Sequence, residues 1–207
     1  MYTPTHFAET DTAALRELIA ANGFGILVTM SGGAPTASHL PFLLDPAVGT
    51  NGTLYAHMAR GNPQWRDFDG ASEVLAIFQG PHGYVSPRWY RPGNAVPTWN
   101  YATVHAYGVP RIVEEPDMLR RQQIDLAAAY EGDGPDAWTL DSQPADFIAG
   151  MLRGIVAFEL PIARLEGKFK LSQNRGAEDR AGVVDGLRRT GRPGDAALAD
   201  LMASRGD

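Results

Sequence analysis

The residues from Trp99 to Val109 restrict the fold more than any other stretch of this chain. Trp99, Tyr101, Thr103, His105 and Tyr107 fall on one side of an extended backbone, and Asn100, Ala102, Val104, Ala106 and Gly108 on the other. That period of two predicts a strand. Its small residues suit the tight interior of a barrel, whereas the ring-rich face is left for a partner subunit or a flat ligand. With 44% hydrophobic residues, 23 Gly and 15 Pro in 207 residues, the composition fits a turn-rich β protein that buries a substantial core.

The flanking segments extend this pattern. Asp11 or Thr12 can cap a helix over residues 13–21, which Asn22-Gly23 ends. Strands are predicted at 24–30 and 36–45, although Pro41 lacks the ladder donor and should mark an edge or a local break beside a ligand. A third strand, 52–58, sets Leu54, Ala56 and Met58 against Thr53, Tyr55 and His57. Asn62 then caps a short helix with Pro63 in its first turn and Trp65 and Phe68 on its apolar side. A strand at 74–78 is apolar on both faces, and after Gly80-Pro81-His82-Gly83, read as a bend or bulge, it continues at 84–87. Residues 86–97 read as a loop. Helices are expected at 116–130 and 144–152, strands at 154–160 and 164–172, and two tail helices at 177–189 and 195–202. In the last strand Leu165, Phe169 and Leu171 should face inward and Glu166, Lys168, Lys170 and Ser172 outward. Short glycine-marked turns favour an antiparallel barrel over a parallel doubly wound sheet.

Several chemistries are excluded. The chain has no cysteine, so disulfides, thiolate metal sites and cysteine nucleophiles are ruled out, and redox work would need a cofactor. Gly-x-Ser-x-Gly is missing, and no HExxH or H-x-x-x-H pair lies on a predicted helix, so neither hydrolysis nor a metal site is expected. The formal net charge of −6 is the wrong sign for holding nucleic acid mainly through its phosphates. The beginning MYTPTHFAETD has no basic segment followed by an apolar run, and no 18 consecutive apolar residues occur; a cytoplasmic location without a membrane partner is expected.

The richest constellation is Tyr55-Ala56-His57-Met58-Ala59-Arg60-Gly61-Asn62-Pro63-Gln64-Trp65, a strand that delivers donors and then turns into a helix. Free N–H groups there can hold a phosphate, with Arg60 adding a charge-assisted bond. Alternatively, Arg60 is a solvated turn residue and Asn62 a plain cap. His57 shares a face with Tyr55, and His39 stands beside Ser38; both histidines can donate to a ligand or serve as hydrogen-bonded wall positions. Trp99-Asn100-Tyr101 offers two rings and an amide, which suits a tricyclic isoalloxazine or an aromatic dimer interface. The two lysines of the chain, Lys168 and Lys170, begin a polar run through Ser172, Gln173, Asn174 and Arg175 that could serve a phosphate or a solvated strand face.

At His39-Leu40-Pro41-Phe42, Ala59-Arg60-Gly61-Asn62-Pro63-Gln64-Trp65, Phe78-Gln79-Gly80-Pro81-His82-Gly83-Tyr84-Val85-Ser86-Pro87, Val96-Pro97-Thr98-Trp99-Asn100-Tyr101 and Lys170-Leu171-Ser172-Gln173-Asn174-Arg175, the chain resembles the PaiB family, described as FMN-binding negative transcriptional regulators. The similarity runs from Met1-Tyr2-x-Pro to the helix near Asp185. It implies a split β-barrel of the flavin-reductase and pyridoxamine-phosphate-oxidase superfamily, dimeric, with FMN across the subunit interface. The same resemblance implies Arg60 and Asn62 at the phosphate, His57 and Met58 beside the ribityl chain or ring, and Ser38 and His39 on the neighbouring strand. Superfamily oxidases often carry an Arg-Lys pair where this chain has Arg60-Gly61-Asn62, which implies weaker phosphate binding or help from Lys168 or Lys170 of either subunit.

The expected fold class is therefore mainly β (α+β): an antiparallel split β-barrel of about six strands with peripheral helices and a helical C-terminal tail. Residues 1–175 would form the FMN-binding split-barrel domain, and 176–207 a tail packing on the barrel or on a partner subunit of a homodimer. The resemblance implies a negative transcriptional regulator; a flavin-dependent oxidoreductase acting on a small molecule is the alternative. For DNA the candidate is the tail, where Arg180, Arg188, Arg189 and Arg192 surround a turn, loosely like a helix-turn-helix. Gly182, Gly186 and the nearby Asp residues weaken that reading.

Overall fold

A computed structural model describes residues 1–132 and 134–205. In chain order the elements are β1 (Ala8–Glu9), α1 (Thr12–Ala21), β2 (Phe24–Ser31), β3 (Ala34–Asp45), β4 (Thr53–Ala59), β5 (Val74–Val85), β6 (Thr98–Gly108), β7 (Arg111–Ile112), α2 (Pro116–Glu131), α3 (Ala145–Arg153), β8 (Ile155–Pro161), β9 (Arg164–Lys170), α4 (Ala177–Thr190) and α5 (Asp195–Ser204). Short 3-10 turns include Pro63–Asp67, Pro87–Trp89 and Leu140–Ser142. The chain is mainly antiparallel β with five helices, as the alternating segments predict. It has nine strands among the described residues, not about six; β1 and β7 hold two residues each, too few to leave a period in the sequence. No helix among the described residues is long and apolar enough to cross a membrane.

The chain divides into two compact units, one of Met1–Leu18, Gln79–Val104 and Glu166–Asp207, the other of Ile19–Phe78 and His105–Leu165. In the second, hydrogen-bonded neighbours run β5-β2-β3-β4-β8-β7. Strand β3 is the pivot of this order. It pairs with β2 from Ala34 to Pro41 and with β4 from Phe42 to Asp45, so it changes partner between two consecutive residues. Pro41 stands at that change. Up to Pro41 the strand is paired on its β2 side alone, so it is an edge there as expected, and the missing N–H falls on the unpaired side where it interrupts no ladder. Leu27, Leu54, Phe78, Phe158 and Leu160 are buried in this unit, and Phe42 meets Phe78 and Phe158 edge-on at centroid distances of 5.4 and 6.3 Å.

Asn62 caps its turn as predicted, with its side chain accepting from the Gln64 N–H. The turn's buried residue is Gln64, however, while Trp65 and Phe68 are half-buried. Its Nε2 donates to the Leu27 carbonyl, the Thr29 hydroxyl and the Thr36 carbonyl at 3.1, 3.1 and 3.2 Å, which ties the turn to both β2 and β3. A buried amide with three acceptors is stabilising only while all of them remain in place.

In the first unit the order is β1-β9-β6-β5. Asp11 caps α1, accepting from the Ala13 N–H at 3.0 Å. Strand β5 continues through Gly80-Pro81-His82-Gly83 as one strand, and its buried positions change there from Val74, Ala76, Phe78 and Gly80 to Gly83 and Val85, the one-residue shift of phase that the expected bend or bulge gives. Ser172 is a further departure. Instead of facing solvent it is buried with φ at 65°, and its hydroxyl accepts from Asn100 Nδ2 at 2.8 Å. That left-handed backbone turns the residue out of the alternation of β9 and toward the core. The tail helices α4 and α5 belong to this unit.

Candidate functional site

The β3–β4 ladder stops at the pair Phe42 and Ala56. Beyond it β3 stays with β2, while β4 stays with β8 through His57, Met58 and Ala59, so the two strands part. Ser38 and His39 lie on one side of the opening, and His57 and Arg60 on the other. Asn62 spans it, donating from Nδ2 to the Ser38 hydroxyl at 2.8 Å. Of the predicted residues, Ser38 and Asn62 are brought into contact by this change of strand partner, while His39, next to Ser38, falls on the opposite face of β3, and His57 and Arg60 stand at the end of β4.

Arg60 is held at its base. Its backbone N–H donates to the Gly154 carbonyl, Nε to that of Arg153 and Nη2 to that of Ile155, each at 2.8 Å. These are the carbonyls at the end of α3 and the start of β8. The clasp fixes the direction of the guanidinium, and Nη1 has no partner among the described residues. Gly61 beside it leaves open space, with no atom within 4 Å of where a Cβ would stand. The turn Pro63–Asp67 is short and its first free N–H is taken by Asn62 Oδ1, so Arg60 and the Ser38 hydroxyl are the donors here, not a helix end. His39 lies against the exposed Phe24 ring at 6.3 Å. Met58, 2% exposed, points into the core with Leu54 and Ala56, so only its backbone faces the opening.

His57 is half-buried, and burial lowers its pKa from 6.5. The imidazole is therefore neutral at pH 7. Its Nδ1 is buried without a hydrogen-bond partner, as are both amide atoms of Gln122 on α2, and the two residues border a common void of about 10 Å³. The sign of the linkage follows directly. Between the folded pKa and the unfolded value of about 6.5, the unfolded chain binds a proton that the folded chain refuses. Stability should accordingly fall as pH drops below about 6.5 and level off below the folded pKa. Melting curves from pH 8 to pH 5 check this: His57→Phe should lose this part of the acid sensitivity, and an unchanged profile would exclude His57 as its source.

Trp99, Asn100, Tyr101 and Lys170 lie in the first unit. Trp99 is 55% exposed and Tyr101 half-buried on one face of β6, with Tyr84 edge-on to Trp99 at 6.1 Å. Asn100 is on the other face, 0% exposed, donating to Ser172 and to the Met202 sulfur. The period of two separates the amide from the two rings, so a flat ligand on the ring face would not meet it. Lys170 donates to the Thr98 hydroxyl at 2.7 Å and to the Trp99 carbonyl. Its pKa is lowered, first by burial and then by the charge of Lys168, which itself lies 5.4 Å from the Tyr101 ring centroid.

A pocket of about 580 Å³ opens beside His57. Pro41, His57 and Ile155 form its floor, and α2, α3 and the Leu140–Ser142 turn form its walls. Tyr130, Trp138, Phe147 and Met151 stand exposed around it. None of these four is among the predicted site residues. The available signal was that α2 and α3 carry large apolar side chains outside their buried stripe.

A family model described as "Putative FMN-binding domain" matches residues 1–164. The chain belongs to this family. FMN is the cofactor that goes with the assignment. The chain is also 36% identical over 207 residues to the Protease synthase and sporulation protein PAI 2 of Bacillus subtilis (strain 168), covering 99% of this chain and 98% of that protein. An uncharacterized protein of Aspergillus fumigatus is 34% identical over 256 aligned residues, covering 100% of this chain and 98% of the relative. Among solved structures, the flavocytochrome Anf3 from Azotobacter vinelandii aligns with a TM-score of 0.65 at 14% identity, over 84% of this chain and 75% of that one. The FAD and heme binding protein from Mycobacterium smegmatis aligns with a TM-score of 0.62 at 17% identity, over 84% and 78%. At these identities the likeness is one of fold.

Proposed function

We propose that this FMN-binding family member is a flavoprotein of the PaiB type that holds FMN where β3 and β4 part and uses it on a small molecule. The observation that carries the reading is the clasped Arg60, a guanidinium fixed in direction with Nη1 left over at the end of β4, where Asn62 reaches the Ser38 hydroxyl of the strand that parts from it. A phosphate needs such donors, and an isoalloxazine needs polar atoms at its edge with flat neighbours. Arg60 and Ser38 would hold the phosphate; His39 and His57 would line the ribityl chain and ring. Bound FMN supplies reversible acceptance of one or two electrons. A second copy of the chain would cover the exposed Trp99, completing a homodimer.

Negative transcriptional regulation is the second reading, favoured by Arg189 and Arg192, both exposed near the turn between α4 and α5. Against it, Arg188 is engaged with Asp200 at 3.0 Å and Arg180 with the Arg205 carbonyl at 3.0 Å. Salt-dependent retention on immobilised duplex DNA would support it.

The deciding measurement is a titration of the purified chain with FMN, followed by quenching of flavin fluorescence. One FMN per chain, with the complex eluting as a dimer, is expected. A monomer that leaves the fluorescence unchanged would overturn the proposal.

A further inference from the structure

We infer that the pocket between α2, α3 and His57 binds a neutral, mostly apolar small molecule bearing one hydrogen-bonding oxygen. Taken as the substrate class of the flavin, this rests on the reading above; taken as a binding site, it does not.

Size comes first. About 580 Å³ lies within the usual range of roughly 300–1,000 Å³ for small-molecule sites, and the walls are supplied by Leu126, Ala127, Leu140, Ile148 and Met151. Charge comes next. Among the residues lining the pocket there is no Lys or Arg, and the single charged group is Glu131, so an anion would be desolvated without a partner. That separates this pocket from the phosphate donors Arg60 and Ser38, neither of which lines it. An apolar occupant, by contrast, would cover Tyr130, Trp138, Phe147 and Met151, which water now reaches.

Polarity fixes the last feature. His57 on the floor is neutral, and its Nδ1 is an unpartnered buried atom. The void it shares with Gln122 is near the lower limit of about 10–15 Å³ for one water, and such a water would satisfy Nδ1 and the amide together. The other ring nitrogen then remains for a ligand oxygen, as donor or acceptor according to the tautomer. An apolar pocket with one such polar contact orients its occupant, which is the arrangement of a small-molecule site more than of a contact between proteins.

The test compares three probes by equilibrium dialysis against the FMN-free chain: 2-naphthol, naphthalene and 2-naphthalenesulfonate. We expect 2-naphthol to bind at least tenfold tighter than either analogue. His57→Phe should abolish its advantage over naphthalene, and Ala127→Trp, which fills the pocket from α2, should weaken it at least tenfold while FMN binding persists. No binding of 2-naphthol, or equal binding of the sulfonate, would overturn the inference without reference to any variant. So would loss of FMN binding in a folded Ala127→Trp chain, which would make the pocket part of the flavin cleft, or dissociation of that variant's dimer, which would make it a contact between copies. Binding of 2-naphthol by a chain that ignores FMN would uphold the pocket and defeat the flavin reading alone.

Discussion

Arg60→Ala should weaken FMN roughly 10- to 100-fold and leave riboflavin within about twofold, because a hydrogen bond to a charged group contributes about 1.5–3 kcal/mol and each 1.4 kcal/mol is tenfold. Riboflavin differs from FMN only in lacking the phosphate. The ratio of the two affinities therefore isolates the phosphate contact. It also cancels a second effect of the substitution: Arg60 donates to the carbonyls of Arg153 and Ile155, and losing those bonds would loosen the end of β4 for both ligands alike. A lower melting temperature with an unchanged ratio would thus reveal a purely structural arginine. Arg60→Lys should fall between the two, since an ammonium keeps the charge but cannot grip two carbonyls and a phosphate from one planar fork. Parallel loss of FMN and riboflavin in a folded Arg60→Ala chain would sink the phosphate assignment.

Local pattern carried the strands and helices whose burial follows a single period. On β4, Leu54, Ala56 and Met58 are all buried, and on β6 the small residues Ala102, Val104 and Ala106 are buried while the rings face the other way. The cap at Asn62 was legible for the same reason, since its partner is two residues along. What the sequence hid depends on distant partners. Pro41 was legible as an edge position, but nothing nearby reveals that β3 takes β4 as its partner from the very next residue. The burial of Gln64 has no local sign, because its three acceptors lie on β2 and β3, 28 to 37 residues away. Ser172 obeyed the strand period until its backbone turned left-handed to reach Asn100.

The candidate site divides along the same line. His57 and Arg60 were readable as donors at the end of a strand, but not the clasp on Arg60, whose carbonyls lie 93 to 95 residues further on. Nor could the pocket be read, because its floor and walls come from segments as far apart as Pro41 and Ile155. Motifs mark which residue types are present; the pairing of strands decides which of them share a space.

The tail gives the second large expected effect. Gly182 and Gly186 stand one turn apart on α4, and in a solvent-facing helix replacing either with alanine would be stabilising by up to about 1 kcal/mol. Here the opposite is expected. A Cβ on Gly186 would lie 2.2 Å from Cδ2 and 2.6 Å from Cε2 and Cγ of Trp89, and one on Gly182 would lie 2.1 Å from the Trp89 carbonyl oxygen. The two glycines form the seat of the Pro87–Trp89 turn. Gly186→Ala should therefore cost about 1–3 kcal/mol through overpacking, which for a chain of this size lowers the melting temperature by roughly 2–12 °C. Trp89→Ala removes the obstacle. In that background Gly186→Ala should regain its ordinary helix-favouring effect, so the double substitution should melt at or above Trp89→Ala alone, a coupling that a double-mutant cycle reads directly. A rise in melting temperature for Gly186→Ala in the natural background would show that Trp89 does not sit there. It would also reopen the DNA reading, since the face of α4 that carries Gly182 and Gly186 is available to another molecule only if that ring is elsewhere.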